Sequence, residues 1–146
     1  MSELTFEQIK ALPKGTGNLF AKTRRWPPED PRSTFDTDYV NVRMEGPTFE
    51  VSALVEQPGY YSGLIFTLPT DIQSGTYQLG SSGIPVRYYV SAGSNEQFHA
   101  VSGEIQLTSF LPFVRFQASE FRFVAEREGT GELVEVFLGK FDISSV

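Results

Sequence analysis

Residues Val40–Glu56 read VNVRMEGPTFEVSALVE, and this stretch decides the fold. Val40, Val42 and Met44 alternate with Tyr39, Asn41 and Arg43. Past Glu45-Gly46-Pro47, Phe49, Val51, Ala53 and Val55 alternate with Glu50, Ser52, Leu54 and Glu56. A period of two puts successive side chains on opposite sides of an extended backbone. Gly46 and Pro47 are turn formers. The stretch therefore predicts a β-hairpin, with its second strand half-buried.

The pattern continues outward. Leu64, Phe66 and Leu68, then Tyr77 and Leu79, then Val86, Tyr88 and Val90 mark further strands. Turn-forming runs divide them: QPG (57–59), PTDIQSG (69–75), GSSGIP (80–85) and AGSNE (92–96). In FHAVSGEIQLTS, Val101, Ile105 and Leu107 share strand parity with His99, interrupted at Gly103. In FVRFQASEFRFVA the apolar set is first Val114, Phe116 and Ala118, then Phe121, Phe123 and Ala125. That change of phase near Ser119 predicts a β-bulge within residues 117–121, with a tight turn at ASE as the alternative. EGTG (128–131) makes a hairpin into ELVEVFLGKFDIS, which is apolar on both parities and so predicts a central strand covered on both faces.

Only the N-terminus departs from this pattern. In LTFEQIKAL, Thr5 and Gln8 have capping-box spacing and Leu4 and Ile9 staple spacing, while Pro13 and Gly15 end the run. A helix this short is marginal alone and needs a sheet to dock on. The expected fold is all-β: an antiparallel β-sandwich or flattened barrel of about eight to ten strands with one short N-terminal α-helix. Residues 1–146 read as a single domain, with the helix in 1–14 and the β body in 15–146.

With 13 Phe and 6 Tyr, the chain carries an aromatic load suited to strands. It has no cysteine, which excludes disulfides, thiolate metal sites and cysteine nucleophiles. Residues 1–43 hold seven Lys/Arg against six Asp/Glu, a net of +1. Residues 44–146 hold five against twelve, a net of −7. So acidic a body opposes phosphate-backbone binding, and nucleic acid is not an expected partner. No apolar run reaches the ~18 residues of a membrane helix. The start, MSELTFEQIKALPKG, lacks a signal-peptide pattern, so the expected location is the cytoplasm, or outside the cell without a cleavable signal.

SGTYQLG, VRYYV, VSGEIQLTS, FRFVAE and GKFDIS follow one another over residues 74–144. This order resembles a broad group of small bacterial β-sandwich domains of unknown function, many of them carried by lipoproteins. The resemblance implies the fold and brings no catalytic residues. The chain departs from the group in lacking the lipoprotein signal cysteine.

Chemistry-bearing residues are sparse. His99 is the one histidine, and its parity marks a core-edge or cross-strand position. No G-x-S-x-G elbow accompanies it, and neither GTG run (15–17, 129–131) has the lysine and helix of a phosphate loop. One histidine and no cysteine cannot furnish an ordinary zinc site. Asp36 and Asp38, at i and i+2, are the pair to examine for a hard cation, although solvated loop acids are the plainer reading. Glu126, Glu128, Glu132 and Glu135 read as a charged, solubilising edge. No metal or other cofactor is expected.

Two aromatic loops remain. RRWPPEDPR (24–32) holds the only tryptophan among arginines and prolines. Proline fixes φ and restricts the residue before it, which makes the loop stiff. Trp, Tyr and Arg dominate interface hot spots, and stiff loops lose little entropy on binding. The plainer alternative folds Trp26 onto the end of the body, with Arg24, Arg25 and Arg32 pairing with Glu29 and Asp30. In QPGYYSG (57–63), two adjacent tyrosines in a turn predict that one is exposed. Candidate binding residues are therefore Arg24, Arg25, Trp26, Tyr60 and Tyr61. Three functions are kept: a non-enzymatic binding or interaction module recognising a protein or host surface, its target unspecified, a glycan-binding domain stacking sugars on these aromatics, and an enzyme with a carboxylate site that no motif reveals.

Overall fold

The computed structural model describes residues 14–111 and 114–145, together with Gln8 and Ala11. The helix expected around Thr5–Leu12 falls, apart from those two positions, outside the described residues. Ten strands follow: β1 (Thr16–Thr23), β2 (Thr34–Thr37), β3 (Val40–Glu45), β4 (Thr48–Gln57), β5 (Tyr60–Pro69), β6 (Gly75–Gln78), β7 (Val86–Ser91), β8 (Asn95–Ser109), β9 (Arg115–Arg127) and β10 (Leu133–Ser144). A single 3-10 turn, Pro31–Ser33, precedes β2.

All ten strands lie in one sheet of order β2-β1-β10-β9-β8-β7-β5-β4-β3, with β6 attached to β8 beside this path. Every strand pairing is antiparallel. The sheet curls until its ends approach. Gly15 N–H donates to Val40 O at 2.6 Å across the seam, and Thr37 Oγ1 donates to Leu54 O at 2.8 Å. Of the two expected architectures, the nearly closed, flattened barrel is the one found.

The barrel is filled by aromatics. Phe66 meets Phe121 edge-on at 5.0 Å and Phe141 at 5.3 Å, and Phe49 meets Phe116 at 5.4 Å. Phe66, Phe116 and Phe121 are fully buried. Each such side chain contributes about 1.5–3 kcal/mol relative to exposure.

Bulges turn the sheet. On β9, Ile105↔Phe121 and Gln106↔Glu120 give way to Leu107↔Ala118, so Ser119 is an extra residue. The expected bulge is present, and Phe116 and Phe123 are both buried. A second bulge lies on β8, where Ala100↔Ala125 is followed by Ser102↔Val124. It turns Val101 outward, 43% exposed, instead of inward with Ile105 and Leu107. A third lies on β10 between Val136 and Gly139, opposite Phe123 and Phe121. It overturns the reading of β10 as covered on both faces. The strand is central, but Val134 and Val136 before the bulge and Phe141 and Ile143 after it all point inward, while Leu133 and Leu138 are exposed. Gly139 is needed here because a Cβ would stand 2.4 Å from the Phe121 ring.

The half-buried reading of β4 also needs correction. Leu54 on its outer face is buried with Ile65 and Tyr89 in a second cluster, against which Tyr39 packs. On the same face Glu50 is 4% exposed and takes Arg43 Nη2 at 2.5 Å and Arg87 Nη2 at 3.4 Å. A buried carboxylate persists only when paired in this way.

Candidate functional site

The loop after β1 is built by short-range bonds. Asp30 N–H donates to Pro27 O at 2.9 Å, and Ser33 Oγ donates to Pro28 O at 3.1 Å. Asp30 caps the 3-10 turn. Its Oδ1 accepts from Arg32 N at 2.9 Å, and its Oδ2 accepts from Arg32 Nη2 at 2.7 Å. That guanidinium holds the Asp30 carboxyl below its ordinary range.

Of the local ion pairs expected in this loop, only Arg32–Asp30 forms. Arg24 pairs instead with the neighbouring strand β10, and Arg25 with the start of β8. Arg24 Nε donates to Glu135 Oε1 at 2.7 Å, and the Arg24 guanidinium lies 4.3 Å over the Phe137 ring. Arg25 grips Glu96 with both arms, Nε to Oε1 at 2.8 Å and Nη2 to Oε2 at 2.6 Å.

Trp26 sits in the middle of this arrangement. It is half-buried and packed on the core, with the Arg32 guanidinium 3.7 Å and that of Arg25 4.7 Å from its ring. Tyr60 meets it edge-on at 6.0 Å. The indole Nε1 is buried and makes no hydrogen bond of acceptable geometry.

The structure thus brings Arg24, Arg25, Trp26 and Tyr60 together and leaves Tyr61 apart. Tyr60 is 5% exposed and points inward, and burial raises its pKa. Tyr61, one residue on, is half-buried on the outer wall. Deeper still, the Tyr88 hydroxyl lies 3.2 Å from Thr23 Oγ1, and burial pushes its pKa up strongly.

A cavity of about 560 Å³ opens beside the loop, lined by Lys22 to Pro28, Ser33, Phe137 and Leu138. This volume lies within the range of ligand pockets. Its lining includes the apolar Trp26, Pro27, Pro28, Phe137 and Leu138, and its charged lining residues are all cations: Lys22, Arg24 and Arg25. Lys22 Nζ donates to Thr34 Oγ1 at 2.6 Å.

Lys22, Phe137 and Leu138 were not apparent from sequence. Leu138 is the notable one, because its φ is 52°, the one positive φ of a non-glycine among the described residues, and it is 64% exposed. Left-handed backbone costs an L residue roughly 1–2 kcal/mol, and such strain clusters at functional sites. The Leu-Gly pair inside a strand pattern was the available signal, since Gly there marks a bulge.

The other candidates lie elsewhere. His99 Nε2 is 2.9 Å from Glu128 Oε1 on the outer wall. Asp36 and Asp38 are exposed, with Asp38 3.3 Å from Lys14 Nζ. Among the described residues no group of three or more His, Asp or Glu is arranged to hold a metal ion, and no helix is long and apolar enough to cross a membrane. Comparison with family models, curated proteins and solved structures found no match.

Proposed function

We propose that this chain is a non-enzymatic binding module that holds an acidic segment of a partner protein in the cavity beside the Arg-Trp-Pro loop. The observation that carries the reading is the cavity itself: its lining joins Trp26, Phe137 and exposed Leu138 to three cations and no anion. Carboxylates attract guanidinium and ammonium groups, and an aliphatic or aromatic side chain beside the carboxylate would pack on the apolar lining. Arg24 is available for exchange. Its pair with Glu135 is about half exposed on both sides, a setting in which an ion pair contributes little. The strained Leu138 adds independent support, because a glycine would satisfy that backbone without cost. The reading accords with the interaction-module role kept from the sequence and with the resemblance over residues 74–144, which brings no catalytic residues.

Sugar stacking is less well supported. It requires open ring faces, and Tyr60 is inside the barrel while Arg32 lies against Trp26.

Trp26 is the only tryptophan, so its fluorescence reports on the cavity alone. Synthetic peptides pairing one or two carboxylates with a leucine or phenylalanine should shift its emission saturably. The effect should weaken with salt and disappear in Lys22→Glu and Arg24→Glu. If amide analogues shift the emission as well as the acids, or if no acidic peptide shifts it, the proposal fails.

A further inference from the structure

The barrel wall has a break on the side of β6. In the lane between β8 and β5, β7 pairs with β8 over residues 95–99 and with β5 over 61–66. β6 continues that lane along β8 at 104–107 and pairs with nothing else. Leu79 N–H donates to Gly103 O at 2.9 Å in the same register. Hydrogen-bonded pairs alternate in an antiparallel ladder, so Gly75 and Tyr77 bond to β8 while Thr76 and Gln78 turn their N–H and C=O groups away from it. Gln78 O confirms the direction by accepting from Ile84 N at 2.9 Å. The Thr76 N–H and C=O and the Gln78 N–H have no strand partner on that side among the described residues.

The facing edge is also incomplete. Thr67 N–H donates to Pro85 O at 3.1 Å, but proline has no N–H to return, so the Thr67 C=O is left facing the gap. Between the two edges lies a cavity of about 830 Å³ whose lining includes Thr67, Pro69, Thr76, Tyr77, Gln78 and Pro85. Asp71 is its one charged lining residue.

We infer that this gap is a β-augmentation site for an extended peptide segment of a partner protein. The β6 edge offers the Thr76 N–H and C=O and the Gln78 N–H, spaced for alternate residues of an added strand, and the facing edge adds the Thr67 C=O, the arrangement that gives strand addition its affinity. The four residues of β6 span about 13 Å, so the register holds four or so ligand residues. Tyr77 and the prolines make the walls apolar, and small apolar side chains suit them. The single Asp71 selects a neutral or basic segment over an acidic one. This site is separate from the cationic cavity and asks for the opposite charge. Prolines at 69 and 85 and the shortness of β6 oppose open-ended sheet growth, which a longer free edge would invite.

The test is a linear peptide library displayed on phage and panned on the whole chain. Recovered sequences are then synthesised with single N-methylated amides. Strand addition predicts a two-residue period: methylation at alternate positions weakens binding about tenfold or more, and at intervening positions little, since each removes one main-chain bond or none. Hydrogen exchange should show the Thr76 and Gln78 amides protected by the peptide. Thr76→Pro should abolish binding. The methylation series needs no protein variant, so a poorly folding Thr76→Pro does not obscure the result. The inference is overturned if no neutral or basic peptide is recovered or if methylation shows no alternation. It is also overturned if protection falls elsewhere, or if a second copy of the chain protects the same amides without peptide.

Discussion

Replacing Glu96 by Gln removes the charge that anchors Arg25 and, through it, the cover over Trp26. Glu96 and Arg25 side chains are 9% and 22% exposed, and two short bonds join them. Breaking a buried pair on one side costs about 3–5 kcal/mol, because the surviving charge is left in low dielectric. Arg25 keeps some solvent, so about 3 kcal/mol is expected. For a chain of this length that lowers the melting midpoint by about 6–12 °C. The same pair has a pH signature. The Arg25 hydrogen bond depresses the folded Glu96 pKa below its ordinary value of 4.5. A depressed carboxylate contributes stability that is present above the unfolded pKa and is lost as pH falls through the folded one. Parent and Glu96→Gln should therefore differ fully near neutrality and converge below about pH 4.5. Thermal melts by circular dichroism, repeated from pH 7 to 3, measure both quantities, and Trp26 emission reports the uncovered indole. A variant that melts within two degrees or so of the parent at pH 7, or a gap that does not close in acid, would refute the reasoning.

Two other outcomes are expected. Glu50→Gln leaves Arg43 and Arg87 without their shared carboxylate and should destabilise by about 2–4 kcal/mol in denaturant titration, less if Arg43 turns fully to Glu45, 2.8 Å away. Leu138→Gly relieves a left-handed backbone and should leave the fold as stable or about 1 kcal/mol more so, while weakening acidic peptides in the Trp26 assay.

What could be read from the sequence was local. Alternation from Val40 to Glu56 is a property of neighbouring residues, and it yielded the β3–β4 hairpin. The phase change at Ser119 is equally local, and it located the β9 bulge. What escaped depended on distant partners. Nothing near Glu50 in the sequence announces Arg87, so a buried ion pair looked like a solvated face. The partners of Arg24 and Arg25 lie 111 and 71 residues away, which made nearby Glu29 and Asp30 the apparent choice. On β10, two apolar parities were ambiguous between two covered faces and one bulge, and only the register with β9 distinguishes them. The loop was legible as a candidate site, but two of the ten residues lining its cavity, Phe137 and Leu138, come from the other end of the chain.

That split has a consequence for how the chain becomes competent. β3 to β5 and β7 to β10 join by hairpins, which form early because little loop entropy opposes them. β1 must wait for β10, since its register runs from Thr16↔Ser144 to Thr23↔Val136. Such long-range closure is the slow step in sheet proteins. The cavity straddles this last seam, with Lys22 and Trp26 on one side and Phe137 and Leu138 on the other, so a partly assembled chain has no cavity to offer. A ligand there would act as a clasp on the β1–β10 pairing, stabilising only molecules in which those two strands have met.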